Sequence, residues 1–255
     1  LRYWRARLER AKGNPHRARE LLESALDIAA VAPFSGIFAE LGDLLRGDAT
    51  SDQTLEEAAE VYRRGLEIDP GDAALHNDYG NLLREFGNYE QSLIHLGRAV
   101  ELNADHEVAF FNRGLTLEEL QRYDEAVADF REAVRVDPTD LDARLRLAEN
   151  LIRVRLYDSA RVEVDHLLRV SPEHTGVTLC AADLYNGWMT HLEALDEYRE
   201  ALQPFRRLID LAPDLLDLGV ASPEFENAEQ RWSRGLRGYA RLRQGPDLDR
   251  AERTK

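Results

Sequence analysis

Apolar and small residues recur along this chain with two superposed periods. The short period is helical: Ala126, Phe130 and Ala133 step by four and then by three, and so share one helix face. The long period is 34 residues. Tyr89, Tyr123 and Tyr157 fall on it, as do Gly80, Gly114 and Ala148, then Ser92, Ala126 and Ala160, and also Leu83, Leu117 and Leu151. A repeat of this length with helical patterning predicts a helix, a tight turn and a second helix in every period. Small residues let the two helices cross closely, while large residues on either side fill the space between neighbouring pairs. Pro138 and Pro172 stand just beyond Val136 and Val170 and cannot prolong a helix, so each closes a repeat. Asp72 and Asp140 then fall where N-caps are needed.

The pattern extends in both directions with less regularity. Phe38, Leu41, Gly42 and Leu45 supply a first helix, and Ala58, Tyr62, Gly65 and Pro70 a second, with about four extra residues in DATSDQT predicting a longer turn between them. Ala18, Leu22 and Ala25 fit a second helix, preceded by a truncated first helix over residues 3–11. Downstream, residues 179–185 open another repeat. Trp188 and His191 are expected to break its pattern, with a lengthened or interrupted second helix before Pro213 and a turn or kink at Pro204. Finally, Phe225, Ala228, Trp232, Leu236, Tyr239 and Leu242 lie on one stripe behind Ser222 and Pro223, as expected of a terminal capping helix with a polar outer face bearing Arg231, Arg234, Arg237 and Arg241.

The stretches LHNDYGNLLREFGNYEQSLIHLGRAVELN, FNRGLTLEELQRYDEAVADFREAVRVDP and RLRLAENLIRVRLYDSARVEVDHLLRVSP resemble the tetratricopeptide-repeat family. The resemblance is gapless over residues 73–174 and weaker on either side. It implies an all-α fold, a right-handed superhelical solenoid of antiparallel helix pairs. About six repeats are expected over 1–213, near 1–34 (truncated), 35–72, 73–106, 107–140, 141–174 and 175–213, with 214–255 as capping helix and frayed tail.

In such a stack the first helices make the concave wall, so binding residues are sought at their inward positions. These are Asn77, Asp78, Asn81 and Arg84 in one repeat, Phe111, Asn112, Leu115 and Glu119 in the next, and Leu145, Arg146, Glu149 and Arg153 in the third. Asn77, Asn81 and Asn112 stand out because an amide can both donate to and accept from a peptide backbone without reading its sequence. Phe111, Leu115 and Leu145 add apolar surface. Each amide bond contributes about 1 kcal/mol net, so several must act together even for micromolar binding. One branch of the family, the co-chaperones, grips a C-terminal carboxylate with two Asn, two Lys and an Arg. Asn81, Asn112 and Arg146 stand at positions resembling the Asn and Arg members, but Asn77 and Asp142 occupy the Lys positions, which removes most of the attraction for a carboxylate. The Asn-lined superhelix of the O-linked N-acetylglucosamine transferases is a second resemblance, and it implies backbone holding.

Composition narrows the partner. A net charge of −15 repels polyanions, so the sequence favours a neutral or basic polypeptide and argues against nucleic acid. No stretch reaches the roughly 18–20 apolar residues of a spanning helix. Cys180 is alone and the seven His are scattered, with His166 and His174 lacking an evident third ligand, so no metal site, disulfide framework or cofactor is expected. Cys180 is read as a packed thiol. Phosphate-binding loops, nucleophile elbows and zinc-protease motifs do not occur. The expectation is a non-catalytic protein-interaction scaffold, in the cytoplasm in preference to the periplasm. Two alternatives stand beside it: the substrate-recruiting arm of a larger enzyme such as a glycosyltransferase, sulfotransferase or kinase, and a structural subunit that self-associates through the Trp188 region or the Trp232 helix.

Overall fold

The computed structural model describes residues 1–29, 35–47 and 52–194. All the secondary structure among them is helical. In chain order the helices are α1 (Arg2–Ala11), α2 (Pro15–Ala29), α3 (Gly36–Gly47), α4 (Asp52–Ile68), α5 (Ala73–Glu85), α6 (Tyr89–Leu102), α7 (Glu107–Glu119), α8 (Tyr123–Val136), α9 (Leu141–Arg153), α10 (Tyr157–Val170) and α11 (Thr175–Ala194). Consecutive helices from α1 to α10 pack as five hairpins. The all-α class of stacked antiparallel helix pairs predicted from the sequence is the fold found. The chain divides into two compact lobes, Leu1–Asp137 and Pro138–Lys255.

Helix ends follow from local chemistry. The Asp72 carboxylate accepts from the Leu75 amide at 3.0 Å, and Asp140 accepts from Asp142 and Ala143 at 2.8 and 3.2 Å, so both predicted N-caps are present. His106 caps α7 through Nδ1, which accepts from the Ala109 amide at 3.3 Å. In the four hairpins whose turns are described the first helix ends in a left-handed residue: Gly13, Gly87, Gln121 and Arg155 have φ of 79, 73, 58 and 63°. Around each runs the same pair of bonds, such as Gly87 N–H to Arg84 C=O and Asn88 N–H to Leu83 C=O, both 2.9 Å. This Schellman closure satisfies orphan carbonyls and reverses the chain within three residues.

The small residues do what their spacing predicts. A Cβ added at Gly80 would lie 2.7 Å from the Leu96 side chain, and one at Gly114 would lie 2.8 Å from the Phe130 ring. At Gly42 it would overlap the Tyr62 ring. Tyr62, Phe38, Phe130, Leu22 and Leu96 fill the core of the first lobe, and Leu151, Leu167, Leu184 and Tyr185 that of the second.

Two local expectations change. The inserted segment between α3 and α4 is partly helical, because α4 begins at Asp52 inside DATSDQT. Trp188 and His191 do not interrupt the first helix of their repeat: α11 runs through both as one 20-residue helix, while the lengthened or interrupted second helix expected before Pro213 lies outside the described residues. Packing explains the continuation. Trp188 stacks parallel to Tyr157 of α10 at 6.5 Å, the Arg161 guanidinium lies 5.6 Å over the indole, and His191 lies 5.5 Å from the same Tyr157 ring. The expected turn at Pro204, the capping helix from Ser222 and the tail lie outside the described residues.

Candidate functional site

Register against the small residue of each first helix locates the wall positions. Three and two positions before it, and one after it, come Asn77, Asp78 and Asn81 around Gly80, then Phe111, Asn112 and Leu115 around Gly114, and Leu145, Arg146 and Glu149 around Ala148. The small residue itself is buried against its hairpin partner, so these flanking positions turn away from that crossing.

In the first lobe α3 packs on α5 and α5 on α7, which brings their wall positions together. Asn77 and Asn112 are 6% and 8% exposed and bond directly, Asn112 Nδ2 donating to Asn77 Oδ1 at 2.9 Å. Asn77 Nδ2 donates in turn to Asp78 Oδ1 at 3.1 Å. The result is a three-member amide and carboxylate ladder across adjacent repeats. Asn81 accepts from Arg84 Nη2 at 2.8 Å on the same face. Phe111 and Leu115 are half-buried, with the Phe111 ring edge-on to Phe130 at 5.8 Å. Glu119, also at an inward position by sequence, is exposed.

Asp43 of α3 joins this wall, one position after Gly42, and was not among the sequence candidates. Its Oδ1 accepts from the Tyr62 hydroxyl at 2.8 Å, and burial with the carboxylate as neighbour pushes the Tyr62 phenol well above its ordinary value. Burial pushes the Asp78 carboxyl up to about 6, and the nearby Asp43 charge adds to the rise. Neither carboxylate forms an ion pair among the described residues, whereas Glu40 is taken by Arg10 at 2.7 Å and Glu85 by Arg46 at 3.7 Å. The same register on α3 would have exposed Asp43 in the sequence.

In the second lobe the candidates are brought together more loosely. Arg146 is exposed and donates to Glu149 one turn later at 3.3 Å. Leu145 lies against the start of α11, where a Cβ on Gly176 would come within 3.3 Å of it. Arg153 is exposed. Cys180 is buried, and burial with the Glu149 and Asp183 charges pushes its thiol far up, as suits a packed side chain. No group of three or more metal-ligating side chains occurs among the described residues, and no described helix is long and apolar enough to cross a membrane.

The tetratricopeptide-repeat family models match residues 61–94 and 108–140. Among curated proteins the chain is similar to the protein O-mannosyl-transferase Tmtc3 of Drosophila melanogaster, at 27% identity over 56% of the chain and 13% of that protein. It is also similar to the TPR repeat-containing thioredoxin TTL4 of Arabidopsis thaliana, at 35% identity over 32% of the chain and 12% of that protein. The chain thus matches only a small part of the length of either. Among solved structures it resembles PilF of Pseudomonas aeruginosa, with TM-score 0.66 at 21% identity over 90% of this chain and 95% of that one. YrrB, described as a TPR protein with an unusual peptide-binding site, gives TM-score 0.61 at 18% identity over 82% and 97%. Likeness at these identities carries the fold.

Proposed function

For this chain, a member of the tetratricopeptide-repeat family, we propose a non-catalytic scaffold role in which the first helices of the repeats bind extended segments of a partner polypeptide. The observation that carries the reading is the ladder from Asp78 through Asn77 to Asn112, which lines the wall with linked polar groups across adjacent repeats. An amide already anchored by its neighbour presents its remaining N–H and lone pair in a fixed direction, so little ordering entropy is lost when a peptide backbone meets it. Phe111 and Leu115 beside it offer a half-buried apolar surface for a side chain of the guest. Arg146, Leu145 and Glu149 provide a second, more exposed patch on their own lobe. A neutral or basic partner suits the chain's charge.

The test is peptide binding by fluorescence anisotropy with a random decapeptide pool. Asn81→Ala, Phe111→Ala and Leu115→Ala combined should weaken binding about tenfold or more with an unchanged helical circular-dichroism spectrum, as expected for the loss of roughly 1.4 kcal/mol. Equal binding by the triple variant would remove the wall from consideration. A second reading, that the repeats recruit substrates for a larger enzyme, is favoured by the likeness to an O-mannosyl-transferase of which the chain matches 13%. The open reading frame around the chain decides between them.

A further inference from the structure

An Asn side chain has a carbonyl arm and an NH2 arm of nearly equal shape, so turning it over exchanges an acceptor for donors at little steric cost. A charged neighbour removes that freedom, because a carboxylate only accepts and a guanidinium only donates. Both wall amides of α5 have such a neighbour, and the two neighbours have opposite sign: Asp78 beside Asn77, and Arg84 beside Asn81.

Asp78 governs the first branch. Its Oδ1 accepts from Asn77 Nδ2 at 3.1 Å, which commits the Asn77 NH2 to the carboxylate and turns Asn77 Oδ1 the other way. Asn112 must then offer Nδ2, and it does, donating to Asn77 Oδ1 at 2.9 Å. The direction of both bonds therefore follows from the charge at the head of the ladder. Asn112 keeps its own carbonyl Oδ1 unspent among the described residues. Arg84 governs the second branch: its Nη2 donates to Asn81 Oδ1 at 2.8 Å, so Asn81 is held with its carbonyl spent and its NH2 unspent. The wall of this lobe thus offers an acceptor at Asn112 and donors at Asn81, the complements of a backbone N–H and a backbone C=O. At the registers of Asn77, Asp78 and Asn81 the second lobe carries Leu145, Arg146 and Glu149, and no such arrangement arises.

The two clamps differ in permanence. A guanidinium keeps its charge throughout the pH range of a folded protein, whereas Asp78 is half-buried near a second carboxylate. Burial raises it most, and Asp43 of α3 and Asp72 at the start of α5 raise it further, against the bond from Asn77 and the Arg46 guanidinium of α3. Tyr62 of α4 and Arg10 of α1 act on the same group of carboxylates, Tyr62 by its bond to Asp43 and Arg10 by charge. The balance places Asp78 at about 6. A neutral carboxyl both donates and accepts, so below that pH the direction of the ladder is no longer imposed. The nearby imidazoles of His76 and His95 are both lowered, the second to about 4.

We propose that Asp78 and Arg84 are positioning residues of the wall. The carboxylate holds Asn112, by way of Asn77, with its carbonyl set for a backbone N–H of a guest, and the guanidinium holds Asn81 with its NH2 set for a backbone C=O. The guest rests on the scaffold reading, which this deepens; the orientation of the amides exists with or without one.

Side-chain amide proton–nitrogen NMR spectra of the whole chain, recorded without peptide between pH 8 and 5, test the orientation. The NH2 signals of Asn77 and Asn112 should move together with one midpoint near 6, while that of Asn81 stays fixed. Asp43→Asn, which removes a like charge, should lower this midpoint; Asp78→Asn should abolish it; His95→Gln should leave it in place. Arg84→Met should displace the Asn81 signal and not that of Asn112. Signals of Asn77 and Asn112 that fail to titrate together, or a midpoint that survives Asp78→Asn, would overturn the proposal. For the guest, a random decapeptide pool lacking Asp, Glu and His should bind the wild type about threefold to tenfold more weakly at pH 5 than at pH 7.5, the scale of a hydrogen bond that has lost its direction. Asp78→Asn should show no such change. Affinity indifferent to pH, yet still lost on changing Asn81, Phe111 and Leu115, would remove the positioning role and leave the scaffold reading standing. A pool that does not bind at any pH would remove the scaffold reading and with it the guest, while the titration of Asn77 with Asn112 would still decide what orients the amides.

Discussion

The α5–α6 and α7–α8 hairpins trace the same backbone, but where one fastens its two helices with imidazoles the other uses a buried ion pair. In α7–α8 the Arg113 guanidinium forks onto both oxygens of Asp129, at 2.7 and 2.6 Å, with the Asp129 side chain 6% exposed. One period earlier these positions hold Tyr79 and His95, whose rings lie 4.6 Å apart, and His95 Nδ1 meets Nδ1 of His76 at 3.0 Å. Because His76 Nε2 faces the Pro70 carbonyl at 3.2 Å it must donate there, which leaves its Nδ1 to accept from His95. In the second lobe Arg144 and Glu163, at the register positions of His76 and His95, pair at 2.5 Å. The repeat therefore specifies a slot between helices and leaves its chemistry free. Crossing geometry is common to all the hairpins; the response to charge and pH is individual.

The largest way to break this comparison is to remove half of the ion pair. Arg113→Ala leaves Asp129 buried and unpaired and should cost about 3 kcal/mol in urea unfolding, while Arg113→Met with Asp129→Leu should cost much less. Equal losses from the two would mean that packing and not charge fastens the slot. Next in size, Gly114→Val forces the Phe130 ring aside in a crossing that both hairpins share, and should cost about 1–3 kcal/mol. A similar loss is expected for Gly80→Val against Leu96.

Acid distinguishes the hairpins. Burial lowers His76 and takes His95 down to about 4, so both imidazoles stay neutral in the fold while the unfolded chain takes up protons near 6.5. Stability from this pair is complete above about pH 6.5 and is lost as the pH falls toward 4. Allowing for the solvent that reaches a half-buried ring, the loss is about 1–2 kcal/mol. The surroundings act in both directions, with Asp72 opposing and Arg98 favouring the depression of His76. Thermal melts of the wild type and His95→Gln between pH 7 and 4 check this: the variant should show the shallower decline. The smallest effect concerns the turns. Gln121→Gly and Arg155→Gly relieve left-handed residues that Gly87 already accommodates, and each should stabilise by about 0.5–1 kcal/mol.

Much of the framework was readable because it rests on one-residue physics. Aspartate at 72 and 140, proline at 138 and 172, and glycine or alanine at the crossings each constrain their surroundings directly. Gln121 and Arg155 hid their left-handed conformation because neither residue type signals it; only their 34-residue spacing from Gly87 does. His106 is an uncommon cap and gave no warning. Wall positions such as Asn77 and Asn112 followed from register, but their mutual hydrogen bond depends on the rotation between neighbouring first helices, which no local pattern encodes. Asp43 does not fall on the 34-residue spacing, because the extra residues between α3 and α4 displace its repeat, and only the register set by Gly42 reaches it. His76 and His95 are separated by 19 positions on two helices, and their contact is a product of the crossing.

Tyr62 gives the wall a connection to the opposite side of its hairpin. Rooted in α4 and passing beneath Gly42, it delivers its hydroxyl to Asp43 on the other helix. Any change in the charge or hydrogen bonding of Asp43 alters how firmly the phenol is held. Amide exchange along α4 would then register events on α3, although the two helices share no backbone.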